Sequence, residues 1–205
     1  MVEGKGEALL SVRPLWAGVQ PLGGVVGMVL RVGEVAPTFE AESVNRGWVR
    51  LEDYRGRRVL LVFGRYFGCP ACYLDFKTLV DRQGEVGEYA EIIYFTQSRP
   101  GMARRILGEL EAEFPVVPVA REGGYRIYRE YGLGRMGLRE AVALLSRARK
   151  ARGEGIRHGE YEGRETQVPG DFVVDGEGVV TWAHRGVLDL DQVLRHLEAG
   201  ERPPV

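Results

Sequence analysis

Cys69 and Cys72 are the only cysteines in the chain, and two residues separate them. Thiols at that spacing can close and reopen a disulfide, with one sulfur attacking a partner and the other resolving the mixed disulfide. They can also supply half of a tetrahedral zinc site, which needs two further ligands, or pack as small inert apolar groups. The chain's histidines, His158, His184 and His196, are not arranged as a ligand pair. A secreted disulfide scaffold would spread more cysteines along the chain.

The elements around the pair favour redox chemistry. Val59-Leu-Leu-Val-Phe63 is an unbroken apolar run and predicts a strand buried on both faces. A glycine-flanked loop, Gly64-Arg-Tyr-Phe-Gly68, leads directly into Cys69-Pro-Ala-Cys72. Pro70 suits the first position of a helix, where its missing N–H costs nothing. Cys72, Phe76, Leu79 and Val80 then recur at helical spacing. Cys69 therefore falls at the helix N-terminus, where unpaired N–H groups and the helix dipole favour thiolate over thiol. Cys72 lies one turn inside, in place to attack a mixed disulfide on Cys69.

The remaining pattern supplies a scaffold for this junction. Residues 34–43 form an entry segment that docks Phe39. Val49 and Leu51 alternate in a short strand, and residues 52–56 turn. Ile92–Phe95 and Val116–Val119 predict further strands, with a helix bearing Met102, Ile106, Leu107 and Leu110 between them. Tyr125–Tyr131 reads as helical. Leu138–Ala148 reads as an amphipathic helix with an arginine-rich outer face, and residues 152–167 as a glycine-bearing loop. Phe172–Val174 and Val179–Trp182 flank Asp175-Gly-Glu-Gly178 as a β-hairpin. Asp189 caps a final helix with Gln192 three residues on, and Gly200 ends it. The order predicts an α/β fold: parallel strands joined by helical crossovers, antiparallel strands from the hairpin, and helices on both faces of a central mixed sheet.

At 205 residues and 44% hydrophobic content the chain can fill one core and carry a decorated loop. A net charge of −1 carries no electrostatic footprint for nucleic acid or a membrane surface. Asn45 is the only asparagine, which suits a heat-tolerant protein. Leu15–Leu30 is apolar but interrupted by Gln20 and Pro21, short for a membrane span, and without a small-residue cleavage site. The expectation is a cytoplasmic protein whose residues 1–32 are an N-terminal extension, flexible or the product of an upstream start. Residues 33–205 form the domain, with a helical and loop insertion at about 134–167. Arg135, Arg139, Arg147, Arg149, Lys150 and Arg152 read as a solvated helix face. Tyr66 and Phe67 either shape a docking surface beside the cysteines or pack in the core. His184, at a strand end, is structural or assists proton transfer.

Over about residues 33–199 the chain resembles the thioredoxin superfamily, in particular its AhpC/TSA peroxiredoxin-like branch. Gly33-Glu-Val-Ala-Pro-Thr-Phe39 resembles that group's G-x-x-A-P-x-F opening, and Asp53-Tyr-Arg-Gly56 resembles its turn before the buried strand. Gln167-Val-Pro-Gly-Asp-Phe-Val-Val-Asp-Gly176 resembles its strand-turn signature. Trp182-Ala-His-Arg185 followed by Asp189 is similar to the end of the peroxiredoxin-like 2 type.

The resemblance implies a thioredoxin-like fold and a redox-active Cys69/Cys72 pair working without a cofactor or metal. It implies an antioxidant protein acting on protein or small-molecule disulfides, or on peroxide, with electrons from a thioredoxin-like or thiol donor. The substrate-side residues it implies are Pro169, Tyr66, Phe67, Pro70 and Arg65. Thioredoxin-fold oxidoreductases place a cis-proline beside the cysteine pair, and Pro169 stands at that position, either cis in this way or an ordinary strand-entry proline. Two frames name different nucleophiles. The peroxiredoxin pattern P-x-x-x-T-x-x-C aligns its peroxide-attacking cysteine with Cys72, its threonine with Cys69 and its proline with Arg65. The arginine that peroxiredoxins carry before the strand of Phe172 is Pro169 here, and Arg65 or Arg185 is left to supply a positive charge. The helix-cap argument names Cys69.

Overall fold

The computed structural model describes residues 29–119 and 125–200. In chain order the elements are β1 (Glu40–Ser43), β2 (Gly47–Arg50), a 3-10 turn at Leu51–Tyr54, β3 (Val59–Phe63), α1 (Pro70–Asp81), α2 (Gln83–Gly87), β4 (Glu91–Thr96), α3 (Pro100–Glu109), β5 (Val116–Pro118), α4 (Arg126–Glu130), α5 (Leu138–Gly153), β6 (Gly170–Val174), β7 (Val180–Arg185) and α6 (Leu190–Ala199).

The apolar run Val59–Phe63 becomes the central strand, buried at every position. The five-stranded sheet has the order β5-β4-β3-β6-β7, with β3, β4 and β5 parallel and β6 and β7 antiparallel. This is the α/β thioredoxin-like arrangement expected from the order of patterns. Period-two alternation sends Leu60, Val62, Ile92, Tyr94 and Val173 to one face, where they meet Phe76 and Leu79 of α1, Ile106 of α3 and Val193 and Leu197 of α6. Leu61, Phe63, Phe95 and Phe172 face the other way, against Tyr128 of α4, Tyr131 and the N-terminal elements. Phe39 docks edge-on against Phe95, with ring centroids 5.1 Å apart. Hairpin β1–β2 lies at the outer edge of the sheet, where Val44 N–H donates to the Val116 carbonyl.

The C-terminal reading matches residue for residue: the Asp189 carboxylate accepts from Gln192 N–H, and Leu190, Val193, Leu194 and Leu197 form the buried stripe. Other boundaries moved. Leu51, expected in the strand with Val49, instead opens a 3-10 turn that runs to Tyr54, and α2 has no matching apolar period. Helix α5 runs on to Gly153 because Ala151 is buried and carries the packing forward, so the loop starts at Glu154. Its outer face carries Arg139, Arg149, Lys150 and Arg152 exposed, as expected, with apolar residues beside them and one arginine turned in. Leu138, Val142 and Leu145 are exposed, while Arg147 turns inward to Asp75 and the Leu188 carbonyl. Packing begins ahead of residue 33: Leu30 is buried, and Arg185 donates to its carbonyl at 2.6 Å. The remainder of the expected extension, residues 1–28, lies outside the described residues.

Candidate active site

The strand-to-helix junction is pinned before it reaches the cysteines. Gly64 N–H donates to the Phe95 carbonyl, the Arg65 carbonyl accepts from Gln97 N–H and Thr96 Oγ1, and Phe67 N–H donates to Ser98 Oγ. Cys69 is the N-cap of α1, Pro70 its first residue, and Tyr73 N–H donates to the Cys69 carbonyl at 3.0 Å. Cys72 sits one turn inside. Both are free thiols.

Their environments separate the two sulfurs. The Cys72 S–H donates to Cys69, and this hydrogen bond does most to bring the Cys69 thiol down to about 6. Burial opposes the change, while the Arg65 charge and the N–H groups of Cys72 and Ala71 assist it. Cys72 moves the other way, well above an ordinary thiol, because it is the donor, is buried, and faces the Cys69 charge. The two thiols are thus pushed in opposite directions, Cys69 toward thiolate and Cys72 toward thiol.

A cover closes over the pair. Leu144 and Ala148 of α5 pack against Tyr66, Cys69, Ala71 and Cys72, leaving Cys69 4% and Cys72 2% exposed. The segment after α5 lies against the loop before Cys69, where Gly159 N–H donates to the Gly68 carbonyl at 2.8 Å. Gly68 faces the Glu160 backbone so closely that a Cβ would overlap its carbonyl oxygen. Glu165 reaches in from the same segment, pairing with Arg65 at 3.1 Å and accepting from the Tyr66 hydroxyl.

The substrate-side residues are placed as follows. Arg65 is 2% exposed and directs charge at Cys69. Tyr66 is fully buried under the cover, and Phe67 packs in the core with Phe76 and Tyr94. Neither presents a docking surface, because the loop carrying them turns inward between α1 and the sheet. Pro70 is buried at the start of α1. Pro169 borders a small cavity with Cys72, Asp75, Gly170 and Asp171.

No described residue follows a cis peptide bond, so Val168–Pro169 is trans, and of the two alternatives Pro169 is the ordinary strand-entry proline. Trans is the lower-energy form for most X–Pro bonds. Val168 N–H bonds to Gly134 O, Gln167 Nε2 to Val168 O, and Gly186 N–H to Pro169 O, which fixes this strand entry. Arg185 is turned away from the cysteines, bonding the Leu30 and Tyr131 carbonyls.

Asp75 is the residue that the pattern analysis missed. It falls at i+3 from Cys72, within the apolar stripe that continues through Phe76 and Leu79, and an acid in such a stripe was the available signal. Burial pushes its carboxyl up to about 7, against the opposing charge of Arg147. Asp75 Oδ2 accepts from Leu188 N–H at 3.2 Å, and Arg147 Nε lies 2.8 Å from Oδ1. That contact lacks hydrogen-bond alignment, so Oδ1 has no hydrogen-bond partner. Each histidine has a hydrogen-bond partner: His158 has Tyr66, His184 has Asp171 and His196 has Thr181. Among the described residues, no helix is long and apolar enough to cross a membrane.

A thioredoxin-like sheet, with a differentiated thiol pair at the head of the helix after its central strand, defines a redox protein of the thioredoxin fold. The profile of the AhpC/TSA family matches residues 32–183, and the chain belongs to that family. No curated protein sequence matches the chain. Among solved structures it is similar to a reduced 2-Cys peroxiredoxin of Plasmodium vivax (TM-score 0.60, 16% identity, covering 83% of this chain and 81% of that one). It is also similar to the peroxidoxin BcpB of Mycobacterium tuberculosis (0.59, 15%, 85% and 99%). A third likeness is to the thioredoxin domain of a thiol-disulfide oxidoreductase of Bacteroides vulgatus (0.57, 18%, 84% and 99%). At these identities the likeness is one of fold.

Proposed function

We propose that this protein is a thiol–disulfide oxidoreductase of the peroxiredoxin-like 2 type in which Cys69 attacks and Cys72 resolves. The observation that carries the reading is the placement of Cys69 as the N-cap of α1, with Pro70 at the first helical position and Cys72 one turn inside, and the lowered Cys69 thiol agrees with it. The Cys69 thiolate attacks one sulfur of a substrate disulfide and expels the other as a thiolate. Cys72 then attacks the Cys69 sulfur, releases the second half of the substrate as a thiol, and leaves Cys69 and Cys72 joined. A thioredoxin-like or small thiol donor in a reducing compartment such as the cytoplasm returns the pair to dithiol. Pro169 helps to shape the space beside Cys72, and Arg65 holds the attacking charge.

A second reading, a thiol-dependent peroxidase, is favoured by the cover, since 4% and 2% exposure suits a small oxidant better than a folded protein. In it Cys72 forms the sulfenate and Cys69 closes the disulfide. The raised Cys72 thiol works against that assignment.

Steady-state reduction of insulin, a small aliphatic disulfide and hydrogen peroxide with a dithiol donor separates the readings. Disulfide turnover that is lost in both Cys69→Ser and Cys72→Ser, with slow peroxide consumption, is the expected result. Rapid peroxide consumption that survives Cys69→Ser and disappears in Cys72→Ser overturns it. Oxidation that occurs once and does not cycle identifies a redox-sensing module.

A further inference from the structure

A groove of about 360 Å³ runs beside the thiol pair, within the size range of small-molecule sites. Its walls are α1 with the loop before it, α3, and the segment after α5. Its relation to Cys69 follows from the chain. Phe67 and Gly68, just before Cys69, and Tyr73, one turn after it, all line the groove. The i+4 spacing puts Cys69 and Tyr73 on one side of α1, and Tyr73 N–H donates to the Cys69 carbonyl at 3.0 Å.

The groove is apolar inside and charged at its mouth. Phe67 and Ile106 are buried, and Tyr73, Met102 and Ile156 half-buried. Arg105 and Glu109 of α3 and Glu154 and Arg157 of the covering segment are exposed at the rim. These charges are not equivalent. Each carboxylate already faces a donor on α1: Glu109 the Tyr73 hydroxyl, and Glu154 the Lys77 ammonium. Among the described residues neither arginine is paired with a carboxylate, and Arg105 Nη2 bonds only Met102 Sδ, at 3.0 Å. The mouth therefore offers unused guanidinium groups above an apolar floor, which is complementary to a small apolar body bearing a carboxylate.

Resting on the dithiol cycle above, we propose that this groove binds one half of a small disulfide whose thiol half has an apolar body and a carboxylate. The body lies on Phe67, Tyr73 and Ile106, the carboxylate is held by Arg105 and Arg157, and the sulfur lies at the Gly68 end, next to Cys69. The Cys69 thiolate attacks the sulfur of the bound half. That bond forms, the substrate S–S bond breaks, and the other half leaves as a thiolate. Cys72 then attacks Cys69 Sγ, and the bond to the bound half breaks. That half takes the Cys72 proton and leaves as a thiol. The substrate disulfide gains two electrons and the dithiol loses them, with no other co-reactant. The covering segment has a double role here: it bars a folded protein from Cys69, and it supplies Arg157 to a small substrate.

The test is the reaction of the reduced full chain with excess 5,5′-dithiobis(2-nitrobenzoate), an aryl disulfide with a carboxylate on each half, beside 4,4′-dithiodipyridine, an aryl disulfide with none. Stopped-flow absorbance gives each rate of thiol release. Dividing it by the rate of free dithiothreitol with the same reagent removes intrinsic reactivity. The wild-type chain is expected to prefer the carboxylate reagent about tenfold by this measure, and to lose most of that preference when salt is raised to about 1 M. Arg105→Gln and Arg157→Gln are each expected to lower the preference severalfold, and together to abolish it. Arg104→Gln, one position away on α3 and outside the groove, is expected to keep it. A wild-type chain without the preference overturns the site, whether or not the variants fold. So does a preference that the double variant retains, or one that Arg104→Gln lowers equally. Thiol release that is unchanged in Cys69→Ser overturns the function on which the site rests.

Discussion

Replacing Asp75 by Asn should make the protein more stable at neutral pH and leave it unimproved in acid. In the unfolded chain this carboxyl ionises near 3.8, whereas burial in the folded protein delays ionisation to about 7. Between those values the folded state holds a proton that the unfolded state has released. Raising the pH therefore favours unfolding. The stability is complete below about pH 4, drains away up to about pH 7 and is level beyond. At about 1.36 kcal/mol per pH unit the interval is worth roughly 4 kcal/mol.

Asparagine carries no such penalty, and its side-chain oxygen can still accept from Leu188 N–H. Arg147 loses its ion partner but keeps its bond to the Leu188 carbonyl, so part of the gain is given back. The expected net gain is about 2–4 kcal/mol near pH 8 and none near pH 4. The comparison belongs in a Cys69→Ser background. Cys69 has a lowered pKa, so its stabilising contribution runs the opposite way, lost as pH falls through about 6. Urea unfolding at several pH values, followed by circular dichroism, reads the difference. Parallel stability profiles for the two proteins would refute the burial argument.

The absorbance of the Cys69 thiolate should titrate with a midpoint near 6, and Arg65→Met should move the midpoint upward; an unmoved midpoint removes Arg65 from the account. Gly68→Ala should displace the segment at Glu160, cost about 1–3 kcal/mol and speed alkylation of Cys69 by a bulky maleimide; unchanged alkylation means that the cover does not govern access. Asp189→Ala should cost about 1 kcal/mol through the lost cap of α6, measured as a urea midpoint shift.

The central part of the site was legible because it is local. A buried run, a glycine-flanked loop, Cys69 and Pro70 fix a strand, a turn and a helix start within a dozen residues, and each preference agrees with the others. Asp189 and Gln192 were legible for the same reason. The cover was not, because α5 bears apolar residues on both sides: Leu144, Ala148 and Ala151 face inward, Leu138, Val142 and Leu145 face out. Periodicity marks the helix but cannot choose its buried face. Arg147 was assigned to solvent because its partner Asp75 lies on another helix, 72 positions earlier in the chain. The roles of Tyr66 and Phe67 were left open between surface and core, and only the tertiary path of the loop decides between them.

The segment over the cysteines is closed at its own base. Arg135 and Gln167 form an antiparallel bridge, and beside it Met136 N–H donates to Thr166 O and Val168 N–H to Gly134 O. The two ends of the segment meet at this isolated bridge, just ahead of β6. Loop-closure entropy grows only slowly with the length of what lies between two fixed ends. Changes in the length of the intervening stretch therefore cost little in closure entropy while its base stays formed. The sheet and α1 position the thiols, and the segment laid over them from one base is tied to both through Arg147–Asp75 and Glu165–Arg65.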